Sequence, residues 1–154
     1  MKFQLLSSAF KDGENIPDIY TDTRKGENLS PPLHWINPPQ GTKSFAILVQ
    51  DNYLPFFPII HWLIYDIPVN TLEFTQGVKA QGILPDGITQ GRNWKRETGY
   101  TGPNPFWGRH AYCFNIYAID TVIESDIKLK AGLFLKIIEK HVLATAQLIG
   151  YYSK

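Results

Sequence analysis

Three side chains of this sequence that can carry charge or exchange a proton stand where β-prone runs meet loops. Asp51 ends one apolar run, His61 begins the next, and His110 lies between a loop rich in glycine and proline and a third run. Residues at strand–loop junctions lie at the rim of a sheet, where side chains from separate strands can meet. We therefore expect Asp51, His61 and His110 to converge in one small pocket.

These residue types favour reversible binding of an anion. A carboxylate beside an imidazole favours the protonated ring, which then offers N–H donors. Tyr112 lies two residues after His110, on the same side of a strand, and can donate its hydroxyl. The surrounding loops carry glycines that let backbone amides approach a phosphate, and prolines that stiffen the walls. These residues are Gly102, Gly108, Pro55, Pro103 and Pro105.

The same carboxylate and two imidazoles are also the ligand set of a facial-triad iron site or an open zinc site. The sequence has no His-x-His or HExxH spacing, and no Gly-x-Ser-x-Gly turn for a serine nucleophile. We therefore predict a binding protein and not an enzyme, with no cofactor and no metal. Two alternatives stay open: a metal-dependent or other hydrolytic enzyme that uses Asp51, His61 and His110, and an interaction protein whose pocket is vestigial.

Length and composition restrict the class of protein. A chain of 154 residues with 44% hydrophobic content suits one folded domain, which we place over residues 1–154. The formal charge of +1 argues against a general nucleic-acid binder. The single cysteine, Cys113, allows no intrachain disulfide and is predicted to be a small buried residue. No segment reaches about 20 apolar residues, so we predict no transmembrane segment and a cytoplasmic protein.

Apolar runs with a period of two predict a chain that is mainly β. In the run 45–51, apolar side chains occupy both faces, which is typical of a strand covered on both sides. The runs 61–68 and 111–119 are predicted to be the other long strands. Shorter strands are predicted near residues 2–10, 16–23, 33–35, 78–83 and 88–94. The segment 75–108 is otherwise irregular, and a loop of this length usually has a function.

The C-terminal part of the sequence is predicted to form one long helix over residues 131–150. Apolar residues of this segment, from Ile138 to Ile149, recur near the spacing of one helical stripe. Ser125 and Asp126 precede it and are predicted to cap a helix or a turn. His141 would then be a helix-surface or packing residue. We expect the helix to pack on a face or an end of the sheet.

The aromatic residues fall into two groups, those predicted to pack in the core and those in the loops that flank the pocket. Trp62 is predicted to pack in the core behind His61, and Trp35 and Trp94 to be buried or half-buried supports; His34 is assigned a structural role. Four aromatic residues of the flanking loops either cover the core or form an apolar rim for a homodimer, a partner protein or a lipid chain: Phe56, Phe57, Phe106 and Trp107. Basic residues of the same region are predicted to draw anions to the pocket, namely Arg92, Lys95, Arg96 and Arg109.

The order of these motifs resembles the phosphatidylethanolamine-binding protein family, in particular its short bacterial branch of Raf-kinase-inhibitor-like proteins. The first family signature, an Asp-Pro-Asp-Ala-Pro corner after a strand, reads Asp-Asn-Tyr-Leu-Pro at residues 51–55 and is followed by His-Trp at 61–62. The second, Gly-Pro-x-Pro-Pro…His-Arg-Tyr-x-Phe, reads GPNPFWGRHAYCF at residues 102–114. SSAFKDGENIP, GENLSPPLHW, PPQGTKSFAILV and HVLATAQLIGYYSK also look like this branch, so the resemblance covers nearly the whole chain.

The resemblance implies an antiparallel Greek-key β-sandwich with few helices and a pocket for phosphate or a phospho-head-group. The signature positions present here are taken as the ligand-binding set: Asp51, Pro55, His61, Gly102, Pro103, Pro105, His110 and Tyr112. Four departures from the signatures alter the rim of the pocket: Tyr53, Leu54, Phe106 and Ala111. The resemblance also implies modulation of a kinase, a protease or another partner protein, a role known mainly for eukaryotic members.

Overall fold

The computed structural model describes residues 1–124 and 129–154, and within those ranges the chain forms two antiparallel β-sheets and one α-helix. The larger sheet has the strand order β6 (Thr89–Gln90), β4 (Ile59–Pro68), β3 (Ser44–Asp51), β7 (Arg109–Ile119) and β8 (Val142–Ser153). The smaller sheet has the order β1 (Gln4–Leu6), β2 (Leu33–Ile36) and β5 (Glu73–Phe74). Helix α1 is Ala131–Ile138. The predicted mainly-β class with a C-terminal helix is confirmed.

Strand β3 lies at the centre of the larger sheet and is covered on both faces, as its sequence predicts. One face packs in the main core with the smaller sheet, through Phe45, Ile47 and Val49 against Leu5, Leu33 and Trp35. The other face packs under the helix, through Ala46 and Leu48 against Phe134 and Ile138. The sandwich therefore has a helical third layer. Strand β3 is buried along most of its length and ends at Asp51, which is itself buried, at one end of the main core.

The prediction of one helix over residues 131–150 is wrong in its second half. The helix ends at Ile138, and Val142–Ser153 forms an edge strand that pairs along the whole of β7. Inward residues alternate with outward ones through this strand, because Ala144, Ala146 and Leu148 face the core while Thr145 and Gln147 face solvent. The apolar spacing fits either period, and the hydrogen bonds that β7 offers select the strand.

Three of the short predicted elements also differ from the structure. Residues 16–23 contain a 3-10 turn, Asp18–Tyr20, in which Pro17 and Asp18 carbonyls accept the hydrogen bonds. Of the strands expected at 78–83 and 88–94, only Thr89–Gln90 forms. The Gln90 side-chain amide holds the preceding loop by donating to the Lys79 and Gln81 carbonyls. The expected caps Ser125 and Asp126 lie outside the described residues.

Several single-residue predictions concern the core. Trp62, Trp35 and Cys113 are buried as predicted, whereas Trp94 is largely exposed. His141 lies after the helix and not within it, and its Nδ1 is 2.7 Å from Asp120 Oδ1. Among the described residues there is no helix long and apolar enough to cross a membrane.

Candidate functional site

A cavity of about 270 Å³ opens at the end of the main core, where β3, β4 and β7 meet the loop 91–108. Five of the residues predicted for a ligand site line it: Asp51, His61, Pro105, His110 and Tyr112. The remaining lining residues are Asp22, Ile59, Trp94, Lys95, Asn104, Phe106 and Lys154. The convergence that the strand-end motifs predict is therefore present in the structure.

Antiparallel pairing explains how two of the polar groups meet. Asp51 of β3 lies directly opposite Tyr112 of β7. His110 is two residues before Tyr112, on the same side of β7, so all three side chains lie at the same end of the sheet. The pairing register of two central strands thus fixes their relative positions.

A bulge in β4 places His61. Val49 pairs with Trp62 and Gln50 pairs with Ile60, which leaves His61 as the extra residue of β4. The His61 backbone carbonyl instead accepts a hydrogen bond from the Thr101 N–H at 2.9 Å. A bulge bends the strand locally and redirects a side chain. The irregularity therefore turns the His61 ring toward the cavity and joins it to the loop that carries Thr101.

His61 is held as one neutral tautomer. Its Nδ1 is 2.7 Å from the Thr101 carbonyl oxygen, which can only accept, so Nδ1 carries the hydrogen. Burial lowers the pKa of His61 below 6.5, and this effect outweighs the Thr101 carbonyl and the Asp51 charge, which raise it. The expectation that a nearby carboxylate keeps this ring protonated is therefore not met for His61.

His110 has the opposite surroundings. Its Nδ1 is 2.6 Å from Asp51 Oδ2 and its Nε2 is 3.1 Å from the Trp107 carbonyl oxygen. Both partners are acceptors, so the doubly protonated ring satisfies both contacts. Asp51 Oδ1 accepts the Tyr53 N–H at 2.8 Å, and the Tyr53 ring stacks on His110 with centroids 3.9 Å apart. The buried carboxylate is thus paired with an imidazole N–H, and the ring is covered on one face.

Tyr112 provides a neutral hydroxyl in the cavity. Its ring is buried edge-on against His61, with centroids 5.1 Å apart. Burial raises the pKa of Tyr112 well above 10, and the Asp51 charge adds to this effect, so the group stays protonated. Within the described part of the chain no side chain or backbone group is hydrogen-bonded to this hydroxyl. It is therefore a donor available to a ligand.

Residues distant in sequence add charge to the mouth of the cavity. Lys95 pairs with Asp22, and Lys154 donates to Asn104 Oδ1 at 3.3 Å. Asn104 belongs to the recognised loop motif, whereas Asp22 and Lys154 carry no local signal that would predict a place at the site. Only one of the four basic residues expected to attract anions, Lys95, lines the cavity, since Arg92 and Arg96 line a neighbouring cleft and Arg109 stacks on Tyr151.

Three residues predicted for the site do not line the cavity. Pro55 is exposed in the loop after β3. Gly102 and Pro103 instead attach the second loop to the chain around Tyr20, because the Gly102 N–H donates to Asn28 Oδ1 at 2.6 Å and the Pro103 carbonyl accepts from Asp22 N at 3.0 Å. The Gly102 amide is therefore already used and does not form the expected phosphate cradle.

Comparison with known proteins extends the motif resemblance to the whole fold. A sequence model of the phosphatidylethanolamine-binding protein family matches residues 6–153. The chain belongs to this family. A UPF0098 protein of Methanothermobacter thermautotrophicus is 40% identical over 150 residues, covering 97% of this chain and 98% of the relative.

Two crystal structures of family members have the same fold. E. coli YBCL, described as a new member of the mammalian family, superposes with a TM-score of 0.91 at 31% identity and covers 100% of this chain and 99% of its own. A putative phosphatidylethanolamine-binding protein homolog from Chlamydia trachomatis superposes with a TM-score of 0.88 at 31% identity and covers 99% and 97%. The Greek-key sandwich implied by the motifs is thus supported over the full length of the chain.

The departures from the family signatures have structural consequences in this member of the family. Tyr53, at the position of the second signature Asp, places an aromatic ring on His110 where a carboxylate would add negative charge. Phe106, at the position of the final signature Pro, lines the cavity and is 88% exposed. These departures make the rim more apolar while Asp51, His61, His110 and Tyr112 keep their places.

The aromatic rim, defined as Phe56, Phe57, Phe106 and Trp107, is exposed by 65 to 95% and does not cover the core. Its two loops meet beside the cavity, because a Cβ on Gly108 would lie 3.9 Å from the Tyr53 hydroxyl. Phe56 is the most exposed of the four and has a φ of 69°, a conformation that costs energy in a residue other than glycine. Of the two interpretations offered by the sequence, the outward-facing rim is the one observed.

The alternative of a metal centre depends on side-chain geometry. The described residues contain no group of three or more His, Cys, Asp or Glu side chains placed to hold a metal ion. Both ring nitrogens of His110 are directed at acceptor oxygens, so a metal at either nitrogen would displace one of these contacts.

Proposed function

We propose that this member of the family is a small-anion-binding protein whose cavity takes a phosphate-like or carboxylate group. The observation that carries the proposal is the neutral Tyr112 hydroxyl, which lines the cavity with no acceptor among the described residues. Lys154 adds positive charge to the lining, while Lys95 and His110 are each paired there with a carboxylate, Asp22 and Asp51. The hydroxyl can donate a hydrogen bond to an oxyanion, and a hydrogen bond to a charged group is stronger than one between neutral groups.

Tyr112→Phe tests this assignment with little change to the core, since it removes only the hydroxyl. We expect phosphate affinity to fall about tenfold or more, because a hydrogen bond to a charged group contributes about 1.5–3 kcal/mol. The measurement is a two-dimensional NMR titration with phosphate and with acetate, following resonances near Asp51, His61 and His110.

Tyr100→Phe is the matched control. Its hydroxyl donates to the Tyr20 carbonyl at 2.7 Å outside the cavity. This variant should lose stability and keep wild-type phosphate affinity. If Tyr112→Phe and wild type bind phosphate equally, the cavity is not the anion site.

The aromatic rim supports a second element of the proposal, contact with a partner protein whose activity the bound anion would modulate; a kinase, a protease or a second copy of this chain are the classes considered. Large exposed aromatic side chains are enriched at protein interfaces. For the homodimer, we expect sedimentation velocity to show concentration-dependent dimers of the wild type and monomers of Phe57→Ser and Trp107→Ser.

Leu143→Ser is the control for the dimer, because Leu143 is an exposed apolar residue beside Val142, which pairs with Ile119 at the far end of β7 from the rim. It should dimerise as the wild type does. A wild type that stays monomeric at every concentration would count against the homodimer, and equal dimerisation of all four proteins would place the interface elsewhere.

A further inference from the structure

The cavity wall contains one hydrogen-bond acceptor as well as donors, and this acceptor is His61 Nε2. The Nδ1 atom donates to Thr101, so Nε2 is the ring nitrogen left for the cavity that His61 lines. No described residue is hydrogen-bonded to Nε2, and it is not sealed from solvent as the orphan Thr101 hydroxyl is. In the neutral ring Nε2 has a lone pair and no hydrogen.

The His61 ring cannot easily flip so that Nδ1 and Nε2 change places. Flipping it would place the Nε2 lone pair against the Thr101 carbonyl, acceptor against acceptor. Thr101 is itself fixed, since its N–H donates to the His61 carbonyl and the neighbouring Gly102 is tied to Asn28. Tyr112 packs against the ring edge-on. The acceptor is therefore built into the fold.

An oxyanion without hydrogen offers only lone pairs to this atom, so it would meet repulsion at His61 while it bonds the donors around it. An anion with its own hydroxyl can instead donate to Nε2 and accept from Tyr112 at the same time. Buried sites that hydrogen-bond a ligand hydroxyl discriminate strongly against analogues that lack it.

We infer, on the basis of the proposed anion site, that His61 Nε2 makes the cavity selective for an oxyanion bearing a hydroxyl hydrogen, with inorganic hydrogenphosphate as its simplest form. Sulfate has the same tetrahedral shape and lacks the hydroxyl at neutral pH. A phosphodiester, the form in which phosphate occurs in a phospholipid head group, has ester oxygens where the hydroxyl would be. His61 is thus the residue that makes the cavity bind free phosphate in preference to sulfate and to a phosphodiester.

The selectivity depends on pH with a definite sign. Because burial lowers the pKa of His61 below 6.5, the ring is an acceptor at pH 7.5 and becomes a donor only as the pH falls through that lowered value. Sulfate affinity should therefore rise with acidification, and the ratio of phosphate to sulfate affinity should fall. The charged and titratable groups that face His61 are Asp51 on β3, His110 and Tyr112 on β7, Lys95 in the loop 91–108, Asp22 after the 3-10 turn, and Lys154 after β8.

The experiment is an NMR titration of the whole protein with phosphate, sulfate and dimethyl phosphate at pH 7.5 and 5.5, with ¹⁵N spectra of the histidine rings. At pH 7.5 we expect phosphate to bind at least about tenfold more tightly than the other two anions, which is the loss of about one charge-assisted hydrogen bond. His61 Nε2 should stay unprotonated in the phosphate complex. The gap should narrow at the pH where the ¹⁵N spectra show His61 Nε2 becoming protonated, as sulfate gains affinity.

A variant supports the same test. His61→Gln places an amide that can present either a donor or an acceptor, so the preference for phosphate over sulfate should fall toward one. His141→Gln, in the exposed pair with Asp120, should leave the preference unchanged.

The outcomes separate the two proposals. Equal affinity for phosphate and sulfate at pH 7.5 in the wild type would overturn the role of His61 and leave the anion site standing. Dimethyl phosphate binding as tightly as phosphate would do the same and identify a phosphodiester head group as the ligand. Absence of any shift near the cavity with all three anions would overturn the proposed function itself.

Discussion

His110→Ala should destabilise the protein by about 3 kcal/mol, because among the described residues it leaves the buried Asp51 carboxylate with one hydrogen bond, from the Tyr53 N–H. The side chains of His110 and Asp51 are 12% and 5% exposed, so the carboxylate depends on His110 more than an exposed one would. The stacked Tyr53 ring loses its support as well. Urea unfolding, read as the change in midpoint at constant slope, measures the effect.

The chain contains a matched pair that lacks the burial. His141 Nδ1 lies 2.7 Å from Asp120 Oδ1, almost the separation found in the cavity, but these side chains are 44% and 43% exposed. Exposed ion pairs are screened by solvent and contribute about 0–1 kcal/mol. We therefore expect His141→Ala to cost less than about 1 kcal/mol. Similar losses for the two alanine variants would show that Asp51 and His110 are hydrated in solution.

A double-mutant cycle identifies the cause of the His110→Ala effect. Asp51→Asn removes the charge and keeps an acceptor for the Tyr53 N–H. In that background the loss of His110 should cost clearly less than it does in the wild type, because no buried charge remains unpaired. An unchanged cost would mean that His110 stabilises through packing alone.

Gly102→Ala should also destabilise the protein, by about 2 kcal/mol or more. A Cβ at this position would lie 2.2 Å from the Tyr20 carbonyl oxygen and 2.8 Å from Thr21 Cα, which are backbone atoms that cannot rotate away. The loop must then move, and Thr101, whose carbonyl holds His61, moves with it. We expect a lower unfolding midpoint and, through His61, weaker phosphate binding.

Gly132→Ala is the control for Gly102→Ala. Gly132 lies in helix α1, and a Cβ there would meet no atom within 4 Å. Alanine favours the helix by about 1 kcal/mol over glycine, so this variant should be as stable as the wild type or more stable. A Gly102→Ala protein as stable as Gly132→Ala would show that the two loops do not pack as closely as the structure has them.

The local pattern of the sequence predicts the central strands and their meeting point. Apolar residues on both faces of 45–51 require cover on both sides, and the sheets and the helix provide it. Asp51, His61 and His110 stand at strand ends, and three neighbouring strands bring such ends together. These features can be predicted from nearby residues alone, because the alternation of apolar residues identifies each strand and the turn residues that follow it mark its end.

The same reasoning fails for residues 142–153, because Val142, Leu143, Ala146 and Ile149 fit a helical stripe, whereas the residues that face the core are Ala144, Ala146 and Leu148. The partner strand β7 decides between helix and strand, since eleven of its residues pair with this segment. A pairing between distant segments has no local signature. Gly102 fails in a similar way, because the close approach to Tyr20 that requires a glycine involves a part of the chain about 80 residues earlier.

The sequence by itself therefore determined the β class, three of the four long strands that the structure describes, and the four polar residues that share the cavity. Only the tertiary structure decided their protonation states, which depend on what lies against each ring. His61 faces a carbonyl in a buried environment and is neutral, whereas His110 faces a carboxylate and a carbonyl and suits the imidazolium. Burial and partner geometry are properties of the assembled sheets, so the donor and acceptor pattern of the cavity, and with it the choice of anion, arises only when the chain has folded.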